Sequence, residues 1–175
     1  MPGSPYQIIS WSWMGTFALW FVSAIVTKRT IGSHSDWQSR VAIWIVALAW
    51  RFIGPGPVSA DTGLALTLAG LGLANWARFQ IGRNWSGLVE LKQDHELIRS
   101  GPYSLVRHPI YSGFMLATFG TAIAYGQLRG FLSFVLILAA WGYKSRVEET
   151  FLIHQFGAEY ERYRHEVKGL IPLVW

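Results

Sequence analysis

Two clusters hold most of the chemistry-bearing side chains of this chain. Residues 100–113 read SGPYSLVRHPIYSG, with Arg107 and His108 side by side, Tyr103 and Tyr111 on either flank, and Pro109 directly after. The second cluster is Glu148-Glu149, two adjacent carboxylates just beyond an apolar run. Each has an ordinary structural explanation. Proline is favoured at the first position of a helix because its missing N–H is not needed there, and Arg and His before it then mark an interface. Lys144 stands four residues before Glu148, an i,i+4 pair worth about 0.2–0.5 kcal/mol. That pair accounts for one glutamate and leaves the other unexplained, while adjacent carboxylates close to an apolar span are costly if buried. If the chain does chemistry, the two clusters must meet. If a proton has to be removed, His108 or Glu149 is the first candidate for a base.

The elements that position these clusters are apolar. The chain has 175 residues, of which 51% are hydrophobic, 15% aromatic and only 14% charged. Soluble domains carry about a quarter charged residues, so the water-facing inventory is about half the usual. There is no cysteine, which excludes disulfides, thiol nucleophiles and zinc–thiolate sites, and no metal site is expected. A net charge of +5 fits anionic lipid headgroups and membrane orientation. No nucleic-acid partner is expected, because no basic module with interleaved aromatics appears. The N-terminus has no basic stretch before its first apolar run and no convincing cleavage site, so a removable signal peptide is not expected.

A spanning helix needs about 20 largely apolar residues. Five runs qualify or nearly do, near 8–27, 37–54, 62–80, 109–126 and 129–146. Gly63, Ala65, Ala69, Gly70, Gly72 and Ala74 in the third point to close helix–helix approach. Assigning alternate loops to opposite sides places Lys28, Arg29, Arg40, Arg78, Arg83, Lys92, Arg99, Arg107, Lys144, Arg146, Arg162, Arg164 and Lys168 on one side, and only Arg51 and Arg129 on the other. By the positive-inside rule the N-terminus lies outside and the C-terminus in the cytoplasm. The polar residues then gather in a cytoplasmic connection, 82–108, and a cytoplasmic tail, 147–175. The tail is expected to continue the fifth span as a helix, break at Gly157 and resume as a second amphipathic piece. The expected fold is therefore an all-α integral membrane domain over 1–175: five transmembrane helices with a helical C-terminal tail closing a pocket.

Taken in order, His95, Leu97, Ile98, Ser100 to Tyr103, Val106 to Pro109, Tyr111 and Gly113, then Glu148, Glu149, Leu152, Phe156, Gly157, Tyr160, Tyr163 and Leu170 to Pro172, form a pattern. It resembles that of the isoprenylcysteine carboxyl methyltransferase family. Membrane methyltransferases of phospholipid headgroups share parts of it, and it covers roughly residues 84–172. The resemblance implies S-adenosylmethionine as cofactor, bound by Glu90, by His95, Glu96, Leu97 and Ile98, by Tyr103, by His108, Pro109, Ile110 and Tyr111, and by Glu148 with Glu149 beside it. It puts Lys144 where the eukaryotic members carry an arginine for the substrate carboxylate. Lysine cannot form arginine's bidentate fork, so either the acceptor differs or Arg146 takes the role. The implied activity is methyl transfer to a lipophilic acceptor, the carboxylate of a prenylated cysteine or a similar lipid-like acid, in a prokaryotic inner membrane and among its lipids. The competing readings are an NADPH-dependent membrane sterol or enone reductase, a phospholipid headgroup N-methyltransferase, and a non-catalytic membrane protein. Oligomeric state is not legible.

Overall fold

The computed structural model describes residues 3–27, 30–34, 59–85, 89–92 and 96–171; the expected second span, 37–54, lies outside them. Helix α1 (Pro5–Ala24) starts from an N-cap Ser4 that forms a capping box with Gln7, closing the orphan N–H groups of the first turn. A strand β1 (Thr30–His34) comes next. Helix α2 (Ala60–Ile81) is capped by Ser59 and runs into a 3₁₀ turn, Gly82–Asn84. Strand β2 is Val89–Lys92, and a second 3₁₀ turn spans Gly101–Ser104. Helix α3 (Pro109–Tyr125) opens on proline and ends at Gly126 in the left-handed conformation. Helix α4 (Leu128–Phe156) is 29 residues long, and after Gly157 (φ +52°) helix α5 (Ala158–Glu166) turns back.

The expectation of an all-α chain needs one correction. β1 and β2 pair as a short antiparallel ribbon, with His34 opposite Val89 and Thr30 opposite Lys92. Four or five residues are too few for a periodicity to show. They pair because the bundle brings the exits of α1 and α2 to the same end. Everything else described is helical or irregular.

The tightest contact in the fold is between α2 and α3, and it is built from absent side chains. A Cβ added at Gly63 would stand 2.4 Å from the Ala124 nitrogen, at Gly70 2.4 Å from that of Ala117, at Gly113 2.6 Å from that of Ala74, and at Gly120 2.5 Å from that of Thr67. The register is constant: as one antiparallel helix steps forward by three or four residues, the other steps back by the same number. Small residues at that spacing let two backbones touch and so fix the position of the segments that leave and enter these helices. At the centre of the seam the Thr67 and Thr121 hydroxyls lie 3.2 Å apart, and each is within donating distance of a carbonyl one turn earlier.

Helix α1 packs across this pair. Trp13 Nε1 donates to Thr121 at 3.1 Å and Trp20 Nε1 to Asn75 at 2.8 Å. Arg78 donates to the Ser23 carbonyl at 2.7 Å and to the Gly82 carbonyl at 2.9 Å, tying the C-terminal ends of α1 and α2 together. At the opposite end Tyr6 packs on Tyr125. Helices α1 and α2 are therefore parallel to each other and antiparallel to α3. Among the described residues no helix is long and apolar enough to cross a membrane. Large apolar side chains nonetheless point outward, among them Trp11, Phe17, Phe21 and Ile25 on and just after α1 and Leu128, Leu132 and Val135 on α4.

Candidate active site

The ends of α1 and α2, the start of α3 and the middle of α4 meet at one end of the bundle around a cavity of about 220 Å³. His108 occupies the N-cap position of α3 but makes no side-chain cap, and its ring turns toward α4 instead. It is 6% exposed, with Nδ1 3.5 Å from Glu148 and Nε2 3.0 Å from Glu149. Burial pushes its pKa down, but hydrogen bonds and charge from the two glutamates outweigh this and hold it above the ordinary histidine value. The ring is bracketed by two carboxylates, which favour its protonated form. For Glu148 burial likewise works against the charged form, and His108, then the Tyr111 hydroxyl and Lys144, bring its pKa below the usual carboxylate range. The pKa of Glu149 is also lowered: burial opposes the charge, and His108 and Arg107 prevail.

The two glutamates face different ways. Glu148 lines the cavity, where its carboxylate accepts from Tyr111 Oη at 2.8 Å. Tyr111 is itself stacked between the His108 ring, 5.5 Å away between centroids, and Trp141, 5.9 Å away. Lys144 is 7% exposed, with its Nζ 6.0 Å from the Tyr111 ring centre. Glu149 is absent from the cavity lining. It takes Arg107 Nε at 2.9 Å and Nη2 at 2.7 Å besides the His108 contact.

Arg107 does more than neutralise Glu149. Its remaining nitrogen donates to the Arg164 carbonyl at 3.0 Å and to that of Val167. The backbone N–H of Arg107 donates to the Lys168 carbonyl at 2.8 Å, that of His108 to Gly169 at 3.0 Å, and Ser112 Oγ to Leu170. Tyr163 Oη donates to the Tyr103 carbonyl at 2.6 Å. The C-terminal segment is thus stitched onto the start of α3 and closes one side of the cavity.

Of the residues singled out from sequence, Glu96, Leu97, Ile98, Tyr103, His108, Pro109, Ile110, Tyr111, Lys144 and Glu148 all line this one cavity. Glu149 stands behind it, and Arg146 is exposed and not on its wall. Glu90 lies in β2, and His95 is outside the described residues. The sequence reading missed the apolar wall of Trp20, Ile81, Trp85, Phe114, Trp141 and Leu152, and also Asn84 and Tyr160. A tryptophan in a chain with ten of them carries no distinguishing signal, and Trp20 reaches the cavity only because α1 crosses α2 at Asn75. The legible hints were Leu152, Tyr160 and Tyr163, which sit in the tail pattern without an assigned role.

The molecule defined so far is a small-residue helical bundle with a tail-closed pocket in which one carboxylate, one lysine and a row of aromatic rings converge. The model of the phospholipid methyltransferase family matches residues 59–159, more than half of the chain, and the chain belongs to that family. Among curated relatives, the protein-S-isoprenylcysteine O-methyltransferase of Schizosaccharomyces pombe is 36% identical over 67% of this chain and 51% of the relative. That of Mus musculus is 31% identical over 84% of this chain and 52% of the relative. The solved structure of the eukaryotic intramembrane Ras methyltransferase ICMT (isoprenylcysteine carboxyl methyltransferase) aligns with a TM-score of 0.62 at 25% identity, over 99% of this chain and 70% of that one. These findings place the chain with the isoprenylcysteine carboxyl methyltransferases. It spans about half the length of these two curated relatives.

Proposed function

We propose that the chain is an integral-membrane methyltransferase that uses S-adenosylmethionine to methylate a lipophilic acid, the carboxylate of a prenylated cysteine or a similar lipid-like acid. The observation that carries this reading is the convergence of Glu148, Lys144, Tyr111 and the aromatic wall on one cavity. S-adenosylmethionine presents an ammonium, a carboxylate, a sulfonium and an adenine. The residues fit that set: Glu148 offers an anion to the ammonium, and Trp20, Trp85 and Ile98 offer apolar surface for the adenine. Two buried polar atoms on residues of the cavity wall, Asn84 Oδ1 and Tyr160 Oη, have no hydrogen-bond partner among the described residues. Buried polar atoms are nearly always paired, so these two mark polar contacts a ligand would complete.

When bound, the cofactor supplies an electrophilic methyl group. The protein's share is positional. Lys144 holds an acceptor carboxylate by charge beside the cavity floor, and Trp141, Phe114 and Ile110 exclude water from the nucleophile. Displacement by a carboxylate moves no proton and needs no base. This distinguishes the acid acceptor from the amine headgroup of a phospholipid, whose methylation requires a base. The two candidates for that base are both committed. His108 is held by both glutamates, and Glu149 by Arg107 and His108. Lys144 is buried on the cavity wall and Arg146 is exposed off it, which supports Lys144 over Arg146 as the acceptor's anchor.

The membrane reading is supported by the outward apolar faces of α1 and α4, since exposed apolar surface of this extent marks an interface with something other than water. The parallel course of α1 and α2 supports a returning span at 37–54, because the chain enters α2 at the end of the bundle opposite to where it leaves α1. This and the charge asymmetry support a five-span topology of a single domain with the C-terminus in the cytoplasm.

The test is a melting experiment in detergent with S-adenosylhomocysteine and NADPH side by side. A ligand that binds only the folded state raises the melting temperature by mass action. S-adenosylhomocysteine is expected to raise it and NADPH to leave it unchanged; stabilisation by NADPH alone would replace this reading with that of a reductase.

A further inference from the structure

Tyr160 is 1% exposed, yet its hydroxyl has no hydrogen-bond partner among the described residues. Its position explains why an unpaired hydroxyl is tolerated there. The left-handed Gly157 turns α5 back against α4, which brings Tyr160 onto the cavity wall beside Leu152, one turn beyond Glu148. Its ring packs edge-on against Tyr163, with centroids 5.9 Å apart. Tyr163 is already occupied, since its hydroxyl donates to the Tyr103 carbonyl. The tail pattern therefore holds two tyrosines one turn apart with different bonding: the Tyr163 hydroxyl fastens α5, and Tyr160, a residue of the cavity wall, keeps a buried O–H with no partner among the described residues.

We infer that the Tyr160 hydroxyl donates to the carboxylate of the amino-acid moiety of the bound S-adenosyl molecule, next to the Glu148 carboxylate that takes its ammonium. This rests on the methyltransferase reading above and adds a binding residue to it. The chemistry selects the carboxylate. Burial pushes the Tyr160 pKa far above the ordinary value, Glu149 and Glu148 add to the rise and Arg107 opposes it, so the group stays a proton donor throughout the working pH range. The cationic donors on that wall have other tasks: Arg107 goes to Glu149 and to two tail carbonyls, His108 goes to both glutamates, and Lys144 serves the acceptor. A ligand that brings an ammonium and a carboxylate on one carbon needs both an acceptor and a donor, and Glu148 and Tyr160 supply them from the lining of one cavity.

The experiment is calorimetric titration of the detergent-solubilised full chain and of Tyr160→Phe with two probes. S-adenosylhomocysteine has the amino-acid moiety; 5′-methylthioadenosine keeps the adenosine and thioether and lacks it. Losing a hydrogen bond to a charged group costs roughly tenfold or more in affinity. Tyr160→Phe is expected to weaken S-adenosylhomocysteine by about that factor and to leave 5′-methylthioadenosine unchanged. Its melting temperature without ligand should be equal to or above that of the parent, because the variant removes an unpaired buried group. Unchanged S-adenosylhomocysteine affinity, an equal loss for both probes, or a drop in ligand-free melting each overturns the assignment. If the parent itself binds neither probe, the methyltransferase reading falls, and this inference falls with it.

Discussion

Glu148 and Glu149 are neighbours in sequence, but the 100° step between successive residues of a helix sends them to different partners. Glu148 meets the cavity and Tyr111; Glu149 meets Arg107. Their substitutions should therefore fail differently. In Glu148→Gln a charge-assisted bond to the ligand ammonium becomes a neutral one, worth about 1.5–3 kcal/mol, so S-adenosylhomocysteine affinity is expected to fall roughly tenfold to a hundredfold by calorimetry. An unchanged affinity would show that this glutamate is not a ligand contact. Glu149→Gln instead removes the carboxylate that faces Arg107 and the nearer of the two that face His108, whose side chains are 11% and 5% exposed. Breaking such a pair costs about 3–5 kcal/mol, expected as a marked drop in ligand-free melting temperature. The same cluster sets a pH window. Glu148 and Glu149 have folded pKa values below their ordinary 4.5, so their contribution is complete above about 4.5 and is lost as pH falls through the folded values. His108 has a folded pKa above its ordinary 6.5, so its contribution is complete below about 6.5 and is lost as pH rises through the folded value. Melting temperature should plateau between these limits and decline on both sides, with the alkaline decline weakened in Glu149→Gln. An alkaline limb identical in parent and variant would mean that Glu149 does not hold the imidazolium.

The α2–α3 seam makes its own prediction at the level of elements. Gly70 and Gly72 are two residues apart on one helix and face opposite ways. A Cβ at Gly70 meets the Ala117 nitrogen at 2.4 Å, whereas one at Gly72 meets nothing within 4 Å. Gly70→Leu must push the helices apart, at an overpacking cost of about 1–3 kcal/mol or more. It should also misplace Pro109 and His108 against α4, lowering both melting temperature and ligand affinity. Gly72→Ala is expected to be neutral or stabilising by up to about 1 kcal/mol, the helix-propensity gain over glycine. Equal effects of the two changes would show that the seam is not where these helices touch. The seam also explains why the site sits where it does. Two helices locked backbone to backbone deliver the turn after α2 and the entrance of α3 to one place, and α4 then needs only to lean its middle against Tyr111.

For the whole molecule, orientation is the open property. The end of the bundle that carries the ribbon, the cavity and the tail is also the end where Arg78, Arg83, Arg107 and Lys144 lie, while Arg129 lies at the other. Reporter fusions after Gln93 and Trp175 should read cytoplasmic, and a fusion after Gly126, at the far end of α3, should read external. A cytoplasmic signal at Gly126 would invert the whole arrangement and place the cavity on the outer side. On the proposed reading a cytoplasmic pocket would have a chemical reason: a water-soluble cofactor would meet a lipid-soluble acceptor at the helix entrance at Pro109.

Apolar runs, proline and glycine punctuation and basic asymmetry are local properties, so the sequence by itself determined the helices it could show: α1, α2, α3, the long α4 and its break at Gly157. The pattern from Leu97 to Tyr111 and at Glu148 was legible because its residue types are unusual beside apolar helices. Tertiary structure decided what depends on neighbours distant in the chain. It split the glutamate pair into a cavity group and a lock, put Lys144 inside and Arg146 outside, and paired β1 with β2. It also supplied Trp20 from the far end of the sequence as cavity wall. None of these has a local signature, because burial and partnership are set by which helix faces meet. That meeting was decided by where Gly63, Gly70, Gly113 and Gly120 allow two backbones to touch.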